Sequence, residues 1–64
     1  MKMRFKDLKI GERFHLDGFE GIKIDDRIYG GKLSERPANA IKLSNNHKIV
    51  VGNMLLVDRV ESVE

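Results

Sequence analysis

The sequence predicts a small all-β domain, a five-stranded barrel built from a single chain of 64 residues. Three observations predict it. Apolar residues recur with a period of two, Gly and Asn punctuate the alternating runs, and the only proline, Pro37, falls in the longest irregular stretch. Residues 1–64 form one domain, because a chain this short buries only about 60% of the surface its unfolded form exposes and cannot divide its core. Closing the sheet removes the edges that would otherwise recruit other chains.

The elements follow in order. In FKDLKIGERFHL, residues 5 to 16, Ile10, Phe14 and Leu16 share one parity while Arg13 and His15 take the other, a half-buried strand entered through Gly11. Asp17-Gly18-Phe19-Glu20-Gly21 reads as a turn, with two glycines in five residues. Ile22 and Ile24 alternate with Lys23 and Asp25 in a second strand. Residues 25 to 37 follow as a long loop, broken by Gly30-Gly31, Ser34 and Pro37 and punctuated by Ile28-Tyr29. Asn39, Ile41 and Leu43 alternate with Ala40 and Lys42 in a third strand, and Ser44-Asn45-Asn46-His47 is a hairpin turn because Asn tolerates positive φ. Residues 48 to 51 make the fourth strand, Gly52-Asn53 a corner, and residues 59 to 63 the fifth strand. A short helical turn over residues 53–58 competes for the Met54-Leu55-Leu56-Val57-Asp58 run, and periodicity does not separate the two readings. The core expected from this register is Leu8, Phe14, Ile22, Ile24, Ile41, Leu43 and Ile49, with Ile10 and Leu16 also directed inward.

Composition narrows the chemistry. The chain has no cysteine, so a disulfide framework and a thiolate metal site are excluded and a reducing cytosol is the expected setting. Lys6, Asp7, Lys9, Glu12 and Arg13 interrupt any apolar run behind the basic start, so neither a signal peptide nor a membrane span is expected. Twelve basic and ten acidic residues leave a net charge of +2, a mixed surface that does not by itself point to nucleic acid. The basic cluster Lys2, Arg4, Lys6, Lys9 is expected to be neutralised by Asp7, Glu12 and the acidic C-terminal residues Asp58, Glu61 and Glu64, since the termini of small domains commonly lie together.

No catalytic, metal or cofactor constellation stands out. His15 and Asp17 lie two apart and His47 is the only other imidazole, short of the three or four donors a metal needs. Asp25-Asp26 would point to opposite faces of a strand, so the pair reads as a turn initiator and not as an acid–base pair. Gly30-Gly31-Lys32 lacks a phosphate loop's first Gly and final Ser or Thr, whose places hold Asp26 and Leu33. The expectation is a non-enzymatic protein without cofactor or metal. Four residues of the long loop, Arg27, Tyr29, Lys32 and Arg36, are not required by barrel closure and are therefore the candidate partner-binding residues. The same basic residues around a glycine-rich backbone would suit an anion, and Tyr29 among them could stack on a base. The competing reading has Tyr29 capping the open end of the barrel with its hydroxyl in water.

Phe5-x-Asp7-Leu8-x-x-Gly11-x-x-Phe14, followed by Lys23-Ile24 and Asn39-Ala40-Ile41-x-Leu43, resembles a group of short phage and prophage proteins with SH3-like barrels. The group is functionally uncharacterised. The resemblance implies an SH3-like fold with Leu8 and Phe14 in the core and Gly11 at the corner that docks the first strand. Asn45-Asn46-His47 departs from it, since those proteins usually carry a Gly in that hairpin. The setting it implies is viral, in the bacterial host cytoplasm; together with the unexplained loop residues, the expected function is a binding module that contacts a host or viral protein through residues 25 to 37. Two other classes stay open. One is nucleic-acid or nucleotide binding by the basic loop, including sequestration of a signalling nucleotide against host defence; the other is a structural subunit of a larger assembly or homo-oligomer.

Overall fold

A computed structural model describes residues 2 to 60. Six antiparallel strands form one sheet: β1 Lys2–Arg4, β2 Arg13–Leu16, β3 Phe19–Lys23, β4 Ala40–Lys42, β5 His47–Ile49 and β6 Leu56–Arg59. Their spatial order is β1-β6-β2-β3-β4-β5. The sheet is all-β as expected, but it has six strands where five were predicted, and it is open. β1 and β5 are its edges and do not pair. Both edges are three residues long and basic, carrying Lys2 and Arg4 on one side and His47 and Lys48 on the other. Short strands carrying lysine and arginine are a common means of guarding a free edge.

Two single 3-10 turns, Phe5–Asp7 and Leu33–Glu35, are the only helical elements among the described residues, and no helix there is long and apolar enough to cross a membrane. Residues 53–58 do not form the competing helical turn. The carbonyls of Asn53 and Leu55 accept the N–H groups of Lys6 and Phe5, each at 2.9 Å, which prolongs the β1-β6 pairing, and the corner makes only a single turn, with Leu55 N–H donating to the Gly52 carbonyl at 3.1 Å. The last strand accordingly starts at Leu56, and of the strand expected at 59 to 63 the part after Val60 lies outside the described residues. Register across β1 and β6 sets Lys2 directly opposite Asp58, but among the described residues no ion pair joins Lys2, Arg4, Lys6 or Lys9 to Asp7, Glu12 or Asp58; Glu61 and Glu64 lie outside the described residues.

The β2-β3 register reverses part of the predicted core. Asp17 (φ 49°) and Gly18 (φ 82°) both take positive φ, the two-residue type I′ turn that suits the right-handed twist of a hairpin. Leu16 therefore faces Phe19, and Phe14 faces Gly21. Glycine is needed there, because a Cβ on residue 21 would lie 2.8 Å from Phe14 Cζ and 3.2 Å from the Ile41 carbonyl oxygen. With side chains alternating along the strand, Gly21 and Lys23 point inward with Phe14, and Ile22 and Ile24 point outward. Ile41 sits across from Ile22 on the same outer face, flanked by Arg13 and Lys48. Ile22, Ile24 and Ile41 are thus half-buried and outside the core, and Leu43 and Ile10 are exposed.

The buried apolar residues are Phe5, Leu8, Phe14, Ala40, Val51 and Val57, with Met3, Leu16, Phe19 and Ile49 packed against them. Of the predicted set, Leu8 and Phe14 are central and Ile49 peripheral. The Phe14 ring meets Phe5 edge-on at 5.2 Å and Phe19 at 6.4 Å between centroids, so the three phenylalanines form one contact series.

Inside this core lies a charge. Lys23 is 1% exposed, and its Nζ donates to the carbonyls of Leu8 at 2.7 Å, Phe5 at 3.0 Å and Lys6 at 3.3 Å, 4.9 Å from the Phe5 ring centroid. Of these, the Phe5 carbonyl also accepts the Leu8 N–H within the 3-10 turn, at 3.1 Å, while the lysine supplies donors to those of Lys6 and Leu8. Gly11 N–H returns the contact by donating to the Lys23 carbonyl, docking the opening stretch onto β3. Asn39 performs a similar task at the other side of the core: its side-chain amide donates to the Val51 carbonyl and accepts the Val51 N–H, both at 2.8 Å, standing in for a strand where β4 and β5 diverge.

Two outcomes follow for stability. Gly21→Ala should destabilise the domain by about 1–3 kcal/mol in urea unfolding, because the methyl group has to displace the Phe14 ring or the β4 backbone. Lys23→Met should cost about 1–3 kcal/mol at neutral pH, since it strips the donor from buried carbonyls. Burial is the largest influence on Lys23 and lowers its pKa from the ordinary 10.5, against the opposing pull of Asp26 and Asp7. Unfolding therefore takes up a proton at pH values between the folded pKa and 10.5, and stability relative to the Met variant should rise as pH climbs through that window. A wild-type to variant difference independent of pH up to that limit would refute the buried-ammonium assignment.

Candidate functional site

Residues 25 to 38 leave β3 and return to β4 as a loop whose base is closed by Ile24 N–H donating to the Asn39 carbonyl at 2.9 Å. A loop of this length with joined ends packs on its own side chains. Asp25 organises its first half. One carboxylate oxygen accepts the Arg27 N–H at 2.9 Å and lies 3.4 Å from Arg27 Nε, while the other accepts the Tyr29 hydroxyl at 3.0 Å. This is the turn-initiating aspartate that the sequence suggests. The Arg27 guanidinium sits 5.8 Å from the centroid of the Tyr29 ring. The Tyr29 hydroxyl is therefore not left to water but held by Asp25. Burial above all, and then the bond to Asp25, push the phenol pKa up, so it stays a donor.

The second half is held by the 3-10 turn Leu33–Glu35, with Arg36 Nη2 donating back to the Gly31 carbonyl at 2.9 Å. Arg36 Nε is the only buried side-chain N or O atom among the described residues without a partner. Facing this half is the corner of residues 52 to 55. Its carbonyls are clamped from the N-terminal side by Lys6 N–H, Phe5 N–H and Arg4 Nη1, the last donating to the Met54 carbonyl at 2.8 Å. A Cβ on Gly52 would touch both Leu33 Cδ1 and Leu55 Cβ at about 4 Å, so the absence of one leaves the floor between these leucines open.

Loop and corner together enclose an open groove of about 600 Å³ lined by Lys6, Ile28, Tyr29, Arg36, Gly52, Asn53, Met54 and Leu55. Ile28 is 72% exposed, Met54 59% and Leu55 46%, with Leu33 at 45% beside them. Isolated exposed apolar residues are ordinary, but these lie around one cleft. Of the four nominated residues, Tyr29 and Arg36 line the groove, Arg27 lies against Tyr29, and Lys32 takes no part in the lining. The apolar half of the site, Ile28, Met54 and Leu55, was missed by sequence reasoning. Its signal was present in the Met54-Leu55-Leu56 run, in which no more than one side of a strand can face the core.

The other candidates are dispersed. His15 pairs across the hairpin with Glu20 at 3.2 Å, Asp17 occupies the turn, and His47 opens β5. Among the described residues no group of three or more His, Cys, Asp or Glu side chains is placed to share a metal ion. A second open cleft lies between the hairpin tips, where Lys42 Nζ stands 5.1 Å from the Phe19 ring centroid, but its lining mixes Asp17 and Glu20 with Lys42 and carries no consistent charge. No protein-family model, curated protein or solved structure matches the chain.

The loop's order should depend on pH. Accepting the Arg27 backbone N–H, and then the Tyr29 and Arg27 side chains, lowers the Asp25 pKa from its ordinary 3.8. The resulting stabilisation is complete above 3.8 and is lost as pH falls through the folded value. Amide exchange at Arg27 should therefore accelerate in that acid range before β2 and β3 lose protection, and Asp25→Asn should accelerate it at neutral pH. Unchanged Arg27 exchange in the Asn variant would sink the assignment.

Proposed function

We propose that this chain is a non-enzymatic binding module of the phage type and SH3-like kinship that its sequence resembles, acting in a host cytoplasm on a host or viral protein. The contact surface is the groove between residues 25 to 38 and residues 52 to 55. The observation that carries the reading is the exposure of Ile28, Met54 and Leu55 around one cleft whose floor is rigidly hydrogen-bonded to β1 and the following turn. Protein partners are recognised by apolar anchors inside a polar rim, and thioether and branched side chains adapt well to that task.

The same geometry favours a protein over nucleic acid. Stacking platforms for single strands need several exposed aromatics. Here the three phenylalanines belong to the core or pack against it, and Tyr29 is the only aromatic in the groove.

Ile28→Ser with Met54→Ser should leave the melting temperature nearly unchanged, since exposed substitutions usually stay within about 0.5 kcal/mol each. The pair should abolish nuclease-resistant capture of the partner from host lysate, whereas Lys32→Ser should leave capture intact. Retained capture by the double variant would overturn the site. Binding to oligonucleotides that weakens by about 0.9 log units per log unit of salt for each phosphate contacted would move the reading to nucleic acid.

A further inference from the structure

Building on the protein-binding reading of the groove, we infer that its occupant is a short segment of the partner in which a few apolar side chains are flanked by carboxylates. The lining contains two cations, Lys6 and Arg36, and no carboxylate. Asp7 and Glu35, their neighbours in sequence, line no part of it. The ion pairs among the described residues are Arg13–Glu20, His15–Glu20, Arg27–Asp25 and Arg59–Glu12, so Lys6 and Arg36 take part in none. Arg36 uses Nη2 on the Gly31 carbonyl and leaves Nε without an acceptor. The fold has thus committed Glu12, Glu20 and Asp25 elsewhere while placing two unopposed cations beside an apolar floor. Planar guanidinium and mobile ammonium groups both suit carboxylates, and complementary charge at the rim sets the choice and orientation of a partner.

Size limits the occupant further. A groove of about 600 Å³ lies in the range that takes a compact ligand or a few side chains. Phosphates would satisfy the cations equally well but would leave Ile28, Met54 and Leu55 in contact with a charged backbone.

The test uses fluorescein-labelled short peptides in which leucines and a phenylalanine are flanked by glutamates, compared with versions carrying glutamine for glutamate, serine for the apolar residues, or lysine for glutamate. Oligo(dT) serves as the nucleic-acid probe. Amide NMR should place the glutamate peptide at Lys6, Ile28, Met54 and Leu55, and the glutamine and serine versions should each bind at least about tenfold more weakly. Lys6→Glu with Arg36→Glu should lose the glutamate peptide and gain the lysine one; Lys6→Gln, at an exposed position, tests the same effect should the double variant fail to fold. Equal binding of the glutamine peptide overturns the carboxylate requirement while leaving the groove as the site. Absence of any peptide binding up to about millimolar, or oligo(dT) shifting the same amides, overturns the inference. Self-association abolished by Ile28→Ser also overturns it, in favour of a second copy. Failure of the groove itself reads out separately, as partner capture that survives Ile28→Ser with Met54→Ser.

Discussion

The ammonium group of Lys23 is the one charge that the described fold takes into its interior, and the N-terminal part of the structure depends on it. A buried charge costs several kcal/mol unless its donors find acceptors, and here three main-chain carbonyls of residues 5 to 8 provide them. The consequence is mechanical. With those carbonyls drawn onto β3, Phe5 and Leu8 close over the core, and the N–H groups of Phe5 and Lys6 are left facing the carbonyls of Leu55 and Asn53. The corner that floors the groove is therefore held in place by a chain of contacts that starts at Lys23. The Lys6 side chain reaches the groove rim for the same reason, since its own carbonyl is one of the three acceptors.

A second constraint sets which faces of the strands are available. The type I′ turn at Asp17-Gly18 pairs Leu16 with Phe19, and everything along β3 follows by alternation. Gly21 then has to accept the Phe14 ring, and Lys23 has to enter the core. This register was legible in principle, because an Asp-Gly pair between alternating residues is a strong hairpin signal. It was obscured by Gly21, which reads as a second turn residue when the ring opposite it is unknown. Apolar character then favoured Ile22 and Ile24 as inward residues, an inference that holds when a strand's inner face carries no charge and fails where a lysine has acceptors waiting.

The groove combines two segments that sequence reasoning treated separately. The loop was recognised by its unexplained basic and aromatic residues, and Asp25 does gather Arg27 and Tyr29 as a local sequence of carboxylate, donor and phenol allows. Local bonds of that kind are readable because their partners are two and four residues apart. The apolar side was not, since Met54 and Leu55 become exposed only when the turn at residues 52 to 55 is held by donors from Arg4, Phe5 and Lys6 and Val57 points inward. Ile28, Met54 and Leu55 thus stay exposed around one cleft, the feature on which the proposed contact face rests.

The amino-acid sequence by itself determined the all-β class, the corners at Gly11, Asp17-Gly18 and Asn45-Asn46, the central places of Leu8 and Phe14, and the loop that carries Tyr29 and Arg36. These features rest on local backbone preference and on period-two alternation, which act between near neighbours. Only the tertiary structure decided that the sheet stays open, that Lys23 is inside while Ile22 and Ile24 are outside, and that residues 52 to 55 meet the loop across a groove. The place of Lys23 depends on partners far apart in the chain, the carbonyls of residues 5 to 8, and the groove depends on residues 52 to 55 meeting the loop. A side chain's place in the interior is set by what it finds there, and for a charged residue the decisive partners are backbone atoms that no side-chain pattern reveals.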